Sequence, residues 1–230
     1  QGSASDYADA NLIVITAGAA QKSGETRLDL LKKNAAITGS LAEEIAGTGS
    51  NGIMLIVSNP VDVLTWVALK RSGWERNRVI GSGTVLDSAR FRHFIASHCR
   101  VDVHNVHAYI LGEHGDSEVA AWSMTHIGGI PIQKYCPQCG GCEGWAEKRK
   151  QIEKHVRESA YHIINAKGST HFAVGMALVK ITASILRSQN SVLTVSAFLD
   201  GEYGLSEVCL SVPSVISGNG VERIIEGPLS

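Results

Sequence analysis

Two short segments hold the residue types that proton transfer needs. In Leu111-Gly112-Glu113-His114-Gly115-Asp116-Ser117 a single histidine stands between two glycines, just past the strand-like run Val106–Leu111. Imidazole gives and takes protons near neutral pH, and a strand end at the rim of a sheet is where side chains meet ligands. The flanking glycines leave room for a ligand to approach the backbone on both sides of the ring. A lone loop histidine is more often structural; a second segment upstream raises the catalytic reading. Gly83-Thr84-Val85-Leu86-Asp87-Ser88-Ala89-Arg90-Phe91-Arg92 puts a carboxylate and a guanidinium three residues apart, on one face of a helix start. Asp87 can hold His114 in one tautomer and stabilise the imidazolium, and Arg90 can grip a substrate carboxylate with two parallel bonds.

These residues need a scaffold, and the hydrophobic pattern supplies one. Asn11–Thr16 is a continuous apolar, β-branched run that ends at Ala17-Gly18-Ala19-Ala20, as expected of a buried parallel strand. Gly52–Val57 is a second such run, stopped by Pro60, with Asn59 at the ligand-binding edge of an open parallel sheet. Val79–Ser82 is a short third strand. Between them, Leu28, Leu31, Ala35, Ile37, Leu41 and Ile45 recur at helical spacing and are expected in the core, with Gly47-Thr48-Gly49 as the stop. Helices are also expected over Val61–Lys70 and Asp87–His98. Trp145–Lys167 is a long amphipathic helix with Ile152, Val156, Ala160, Ile163 and Ile164 as its stripe, and another carries Phe172, Val174, Leu178, Ile181 and Leu186. Ser191–Phe198 and Glu207–Pro213 read as antiparallel strands joined by a tight turn at Gly201–Gly204. The fold class is α/β: a partial Rossmann-type parallel sheet followed by an α+β domain.

The composition narrows the function. The chain has 230 residues, 44% hydrophobic and 19% charged, with net charge −1. That is an ordinary globular composition with enough apolar material for a sizeable core. There is no basic excess to suggest nucleic acid and no apolar run of membrane-spanning length. Five unevenly spaced cysteines do not make a secreted disulfide framework, and the polar start is no signal peptide, so cytoplasm is the expected compartment. Cys136-Pro137-Gln138-Cys139-Gly140-Gly141-Cys142 has the spacing of a zinc or iron–sulfur site, yet three thiolates need a fourth ligand and none lies close by in sequence. The competing reading is an exposed loop with free thiols or a disulfide, and no metal is expected.

Four motifs now stand in order: Gly24-Glu25-Thr26-Arg27, Ser58-Asn59-Pro60-Val61-Asp62, Asp87-Ser88-Ala89-Arg90 and Gly112-Glu113-His114-Gly115-Asp116. They resemble the signature segments of the L-lactate/malate dehydrogenase family, and within it the bacterial NAD-dependent L-lactate enzymes. The resemblance runs in register from about Asp9 to Ser230, with one loop of uncertain length near Tyr135–Trp145. It implies a remaining part of an NAD-binding Rossmann domain over residues 1–82 and a catalytic domain over 83–230. A dinucleotide fold opens with a G-x-G-x-x-G turn, followed about 20 residues on by an acidic ribose partner; neither occurs here. Compared with the family, the first two βαβ-sized pieces and a final helix are expected to be missing, so a fragment is the expectation.

The resemblance assigns roles residue by residue. It implies His114 as acid/base, Asp87 as its partner, Arg90 as the anchor of the substrate carboxylate and Arg27 as the group that polarises the substrate carbonyl. On the residues alone, Arg27 reads as a solvated loop arginine. Arg27 ends the segment Gln21–Arg27, which resembles the mobile loop that closes over substrate. Gln21 falls at the specificity position, where a neutral amide suits pyruvate and an arginine would suit oxaloacetate. Asn59 and Thr170 match substrate-pocket positions, and Gly18, Ala19, Ser40, Val57, Ser58, Asn59, Ser82 and Val174 match cofactor contacts. Arg92 and His107 match positions where bacterial relatives bind fructose 1,6-bisphosphate across a subunit interface of a homotetramer. The implied reaction is hydride exchange between NAD and L-lactate/pyruvate. Malate, bulkier branched 2-hydroxy acids, or a chain inert without full cofactor binding remain open alternatives.

Overall fold

The computed structural model describes residues 2–19, 26–136, 143–167 and 171–229, with the backbone alone for Arg27 and five positions of the long helix after Trp145. Its strands are β1 (Leu12–Ile15), β2 (Ile53–Ile56), β3 (Val79–Gly81), β4 (Val106–His107), β5 (Ile110–Leu111), β6 (Val119–Ala120), β7 (His126–Ile127), β8 (Ile130–Pro131), β9 (Ser191–Asp200), β10 (Ser206–Ser217) and β11 (Gly220–Ile224). Its α-helices are α1 (Arg27–Gly47), α2 (Val61–Ser72), α3 (Val85–Cys99), α4 (Ile132–Tyr135), α5 (Trp145–Lys167) and α6 (Phe172–Leu186). The expected elements are present within a few residues at their ends.

One six-stranded sheet runs in the order β1-β2-β3-β9-β10-β11. The first three strands are parallel, Leu12 to Ile15 facing Ile53 to Ile56 and Met54 to Ile56 facing Val79 to Gly81. Strand β9 joins them antiparallel through Gly81 and Ser196 and then forms a long hairpin with β10. The sheet is therefore continuous between the parallel strands and the later hairpin. Alternation along β2 fills both faces: Met54 and Ile56 pack with Ile45 and Leu64 of α1 and α2, while Ile53 and Leu55 pack with Ile181 and Ile185 of α6. A separate core lies around α3, α5 and the small strands, with Phe91 edge-on to Trp122 at 4.8 Å.

Three expectations need correction. Val106–Leu111 is not one strand: β4 pairs with β7 and β5 pairs with β6, in different sheets. The change of partner at Ala108-Tyr109 lets β5 lead directly into the His114 loop. The buried face of α1 is Asn34, Thr38, Ala42 and Ile45, whereas Leu28 is 58% exposed; polar Asn34 and Thr38 hide this face from an apolar-spacing rule. Strand β1 is an edge strand of the described sheet and Val14 is exposed, so the run is not buried on both faces.

Gly81 and Gly83 serve close packing. A Cβ on Gly81 would lie 2.4 Å from Thr65 Oγ1. One on Gly83, whose φ is +53°, would lie 2.5 Å from Ser196 N and 2.6 Å from Thr194 O. Only glycine allows β9 to cross so closely beside the start of α3, and that crossing seats α3 over the sheet.

Candidate active site

The site forms where the carboxyl ends of the parallel strands meet the β5–β6 loop, the edge at which open α/β sheets bind ligands. Gly112 pins that loop to β10 by two backbone hydrogen bonds with Ser211, at 2.9 and 2.8 Å. Its φ is +89° and a Cβ there would meet no protein atom, so within the chain it is the backbone conformation that calls for glycine. At Gly115 the nearest neighbour is the Glu113 side chain.

His114 is held at two points. Its backbone N–H donates to Asp62 Oδ2 at 2.8 Å, in the first turn of α2. Its ring Nδ1 meets Asp87 Oδ2 at 2.6 Å. Asp87 is buried, and its other oxygen, Oδ1, accepts from Arg90 Nη1 at 3.0 Å. With Nδ1 committed to Asp87, proton exchange with a ligand falls to Nε2. Burial works against the imidazolium. The hydrogen bond and charge of Asp87, with the charges of Asp62 and Glu118, outweigh it and hold the His114 pKa above its ordinary value. Burial likewise raises the Asp62 carboxyl, more than the His114 N–H and charge lower it.

His114 and Asn59 line one cavity of about 850 Å³, together with Leu28, Leu31, Pro60, Glu113 and Asp116. Arg90 lines a second, of about 420 Å³, between α3 and α5 with Phe94, His155, Ser159 and His162. The structure thus brings His114, Asp87 and Arg90 into one hydrogen-bonded chain, with Arg90 spending one guanidinium nitrogen on Asp87. Arg27 is the first residue of α1, fixed there by a capping box in which Thr26 Oγ1 accepts from the Asp29 N–H at 3.1 Å. Gln21, Thr170, Cys139 and Cys142 lie outside the described residues.

The cofactor-type positions fall at the strand ends. Gly18 is exposed and Ala19 half-buried after β1; Val57 and Ser58 are half-buried after β2; Ser82 is half-buried after β3. Ser58 Oγ donates to Ala17 O at 2.6 Å, tying the first two turns together. Ser40 is exposed on α1, and Val174 is half-buried near the start of α6. Arg92 points away from this chain of contacts: Nη1 donates to Ala108 O at 3.3 Å, next to exposed His107, and burial lowers its pKa. Cys136 is disulfide-bonded, so its sulfur is no thiolate ligand. Among the described residues no cluster of His, Cys, Asp and Glu is arranged for a metal ion.

Sequence reasoning gave no role to three residues that build the site. Asp62 stood in a quoted motif but reads as an ordinary first-turn acid. Asn34 accepts from Ala19 N at 2.7 Å and donates to Asn59 O at 3.0 Å, bridging two strand-end turns. Glu118 is a buried carboxyl at the end of the His114 loop. The only signal for Asn34 was a polar residue on the inner side of an amphipathic helix.

Comparison with known proteins gives the family. Residues 1–81 match the lactate/malate dehydrogenase NAD binding domain, and residues 84–230 match the alpha/beta C-terminal domain of the same family. An L-lactate dehydrogenase of Treponema denticola is 58% identical over 228 residues, covering 99% of this chain and 72% of that protein. One of Acetivibrio thermocellus is 50% identical over 230 residues, covering 100% and 72%. Among solved structures, a lactate dehydrogenase from a Medee basin deep-sea metagenome library superposes with a TM-score of 0.96 at 45% identity, covering 100% of this chain and 73% of that one. The minor L-lactate dehydrogenase of Enterococcus mundtii, in its ligands-bound form, gives 0.95 at 44%, with 100% and 72% covered. Two domain matches across nearly the whole length, on a fold that superposes this closely, establish that the chain belongs to the lactate/malate dehydrogenase family.

Proposed function

We propose that the protein is an NAD-dependent L-lactate dehydrogenase that interconverts pyruvate and L-lactate. The single observation that carries the reading is the 2.6 Å contact between His114 Nδ1 and buried Asp87, beside a cavity at the carboxyl ends of parallel strands. The names of the relatives support the choice of substrate.

The residues at the strand ends fit the nicotinamide end of such a cofactor. Gly18 offers a backbone amide, Ala19, its own amide held by Asn34, packs beside it, Ser58 and Ser82 offer small hydroxyls, and Val57 and Val174 an apolar wall that keeps water out. When bound, NAD supplies the hydride acceptor for C2 of lactate. The chain supplies the rest. In oxidation His114 Nε2 takes the hydroxyl proton; in reduction the imidazolium returns it to the alkoxide oxygen. Asp87 favours the charged ring and fixes its tautomer. Arg90 anchors the carboxylate, Asn59 hydrogen-bonds the substrate oxygen, and Arg27 stabilises charge on that oxygen. Gln21 and Thr170 select a small, uncharged side chain. Ser40 completes the cofactor contacts from α1.

Arg92 and His107 belong to the same reading as an anion site for fructose 1,6-bisphosphate in a homotetramer, on a face turned away from the cleft. A rise in pyruvate turnover on adding that bisphosphate, lost in Arg92→Gln, is the expected outcome. No helix among the described residues is long and apolar enough to cross a membrane, and a cytoplasmic enzyme is the proposed setting.

The experiment is NADH oxidation by pyruvate with the unaltered protein and with His114→Asn. Turnover in the first and its loss, with NADH binding retained, in the second is the expected result. Equal turnover in both would refute the assignment of His114.

A further inference from the structure

Glu118 is a buried acid that the proton chemistry above does not use. It closes the loop that carries His114: its N–H donates to Gly115 O at 3.3 Å, and the next residue, Val119, pairs with Leu111. Val119 is exposed, so strand alternation turns Glu118 inward. There it is 7% exposed, and its Oε1 is buried with no hydrogen-bond partner. An unpaired buried carboxyl oxygen is costly, which argues for a task that needs it unpaired.

Charged groups face Glu118 from three elements: Asp87 and Arg90 of α3, His114 of its own loop and Arg157 of α5. Arg157 Nη2 lies 3.9 Å from Glu153 Oε2 and Arg90 is bonded to Asp87, so each cation also answers to another acid. Burial lifts the Glu118 carboxyl to about 7, with Asp87 adding to the rise. Asp87 and Arg90 balance each other. One proton is then left to be held by His114 as imidazolium, with Glu118 ionised, or by Glu118 as a carboxylic acid, with His114 neutral. Both arrangements leave the His114–Glu118 pair uncharged, and Asp62, beside His114, adds a negative charge that favours the imidazolium.

We propose that Glu118 is a positioning residue for this chemistry: from the buried end of the His114 loop its carboxylate favours protonated His114 and sets the pH at which the ring changes from acid to base. The inference rests on His114 being the acid/base group of the proposed reaction.

The experiment titrates the His114 ring by NMR and, on the same preparations, follows pyruvate reduction against pH, for the unaltered protein, Glu118→Gln and Glu118→Asp. Removing the charge lowers the His114 pKa, so the high-pH limb of reduction moves down by about half a pH unit, and the rate above the limb falls about threefold. Glu118→Asp keeps the charge and stays near the unaltered protein. Glu118→Met is a second uncharged variant should the glutamine form fold poorly, and it shifts the same way. An unshifted His114 in the uncharged variants overturns the proposal, as does an aspartate form that shifts as far as the glutamine form. A shifted His114 without pyruvate turnover in any form upholds the electrostatic role and refutes the substrate reading instead.

Discussion

His114 is tied to Asp62 by its backbone and not by its ring: the main-chain N–H donates to Asp62 Oδ2 at 2.8 Å. The ring is left to Asp87, so one residue is gripped by acids from the starts of two helices, α2 and α3. Asp62 is 6% exposed. Truncating it strands a buried N–H, and Asp62→Ala is expected to cost about 1–3 kcal/mol of stability. Asp62→Asn keeps an acceptor and should lose less. Chemical denaturation of both variants measures the difference.

Asp87 has two tasks, holding the His114 ring and pairing with Arg90. Asp87→Asn keeps the shape and removes the charge, so the imidazolium loses its main support. The sign follows from the chemistry: pyruvate reduction needs protonated His114, whose pKa is held above its ordinary value. Losing that support moves the high-pH limb of reduction to lower pH. Turnover is expected to fall by about 100-fold, and a pH profile of kcat/KM checks both effects.

Asn34 links the turn at Ala19 to the turn at Asn59. Asn34→Ala removes both bonds while leaving His114 and Asp87 untouched. The expected result is a rise in KM for NADH and pyruvate by about tenfold, the equivalent of one charge-neutral hydrogen bond, with a smaller change in kcat. Steady-state kinetics with each substrate varied in turn tests it.

Gly83 and Gly112 both have positive φ, yet they differ in surroundings. Gly83→Ala forces a Cβ into the backbone of β9, whereas Gly112→Ala meets open space. The first is expected to cost about 3 kcal/mol or more and the second about 1 kcal/mol. Thermal unfolding of the two variants ranks them.

The parallel strands and long helices were legible because their patterns are local: β-branched runs before Gly18 and Asn59, and stripes such as Ile152 and Val156. The contact of His114, Asp87 and Arg90 was legible because two short motifs, Asp87–Arg90 and Gly112–Asp116, hold their residue types. What was hidden depends on distant packing. Asn34 and Thr38 line the inner face of α1 although they are polar, and the turn at Ala108-Tyr109 sends β4 and β5 to different partners. Asp62 and Glu118 gain their roles only when α2 and the β5–β6 loop meet around His114. The close approach of Thr65 and Ser196 that demands glycine at Gly81 and Gly83 is likewise not written locally.

The central claim is the choice of substrate, which the names of the relatives support and for which Gln21 and Thr170 are the proposed selecting residues. The most direct measurement is kcat/KM for NADH oxidation with pyruvate and with oxaloacetate on one preparation. A preference for pyruvate of about 100-fold or more is the expected result. A preference for oxaloacetate would contradict the account.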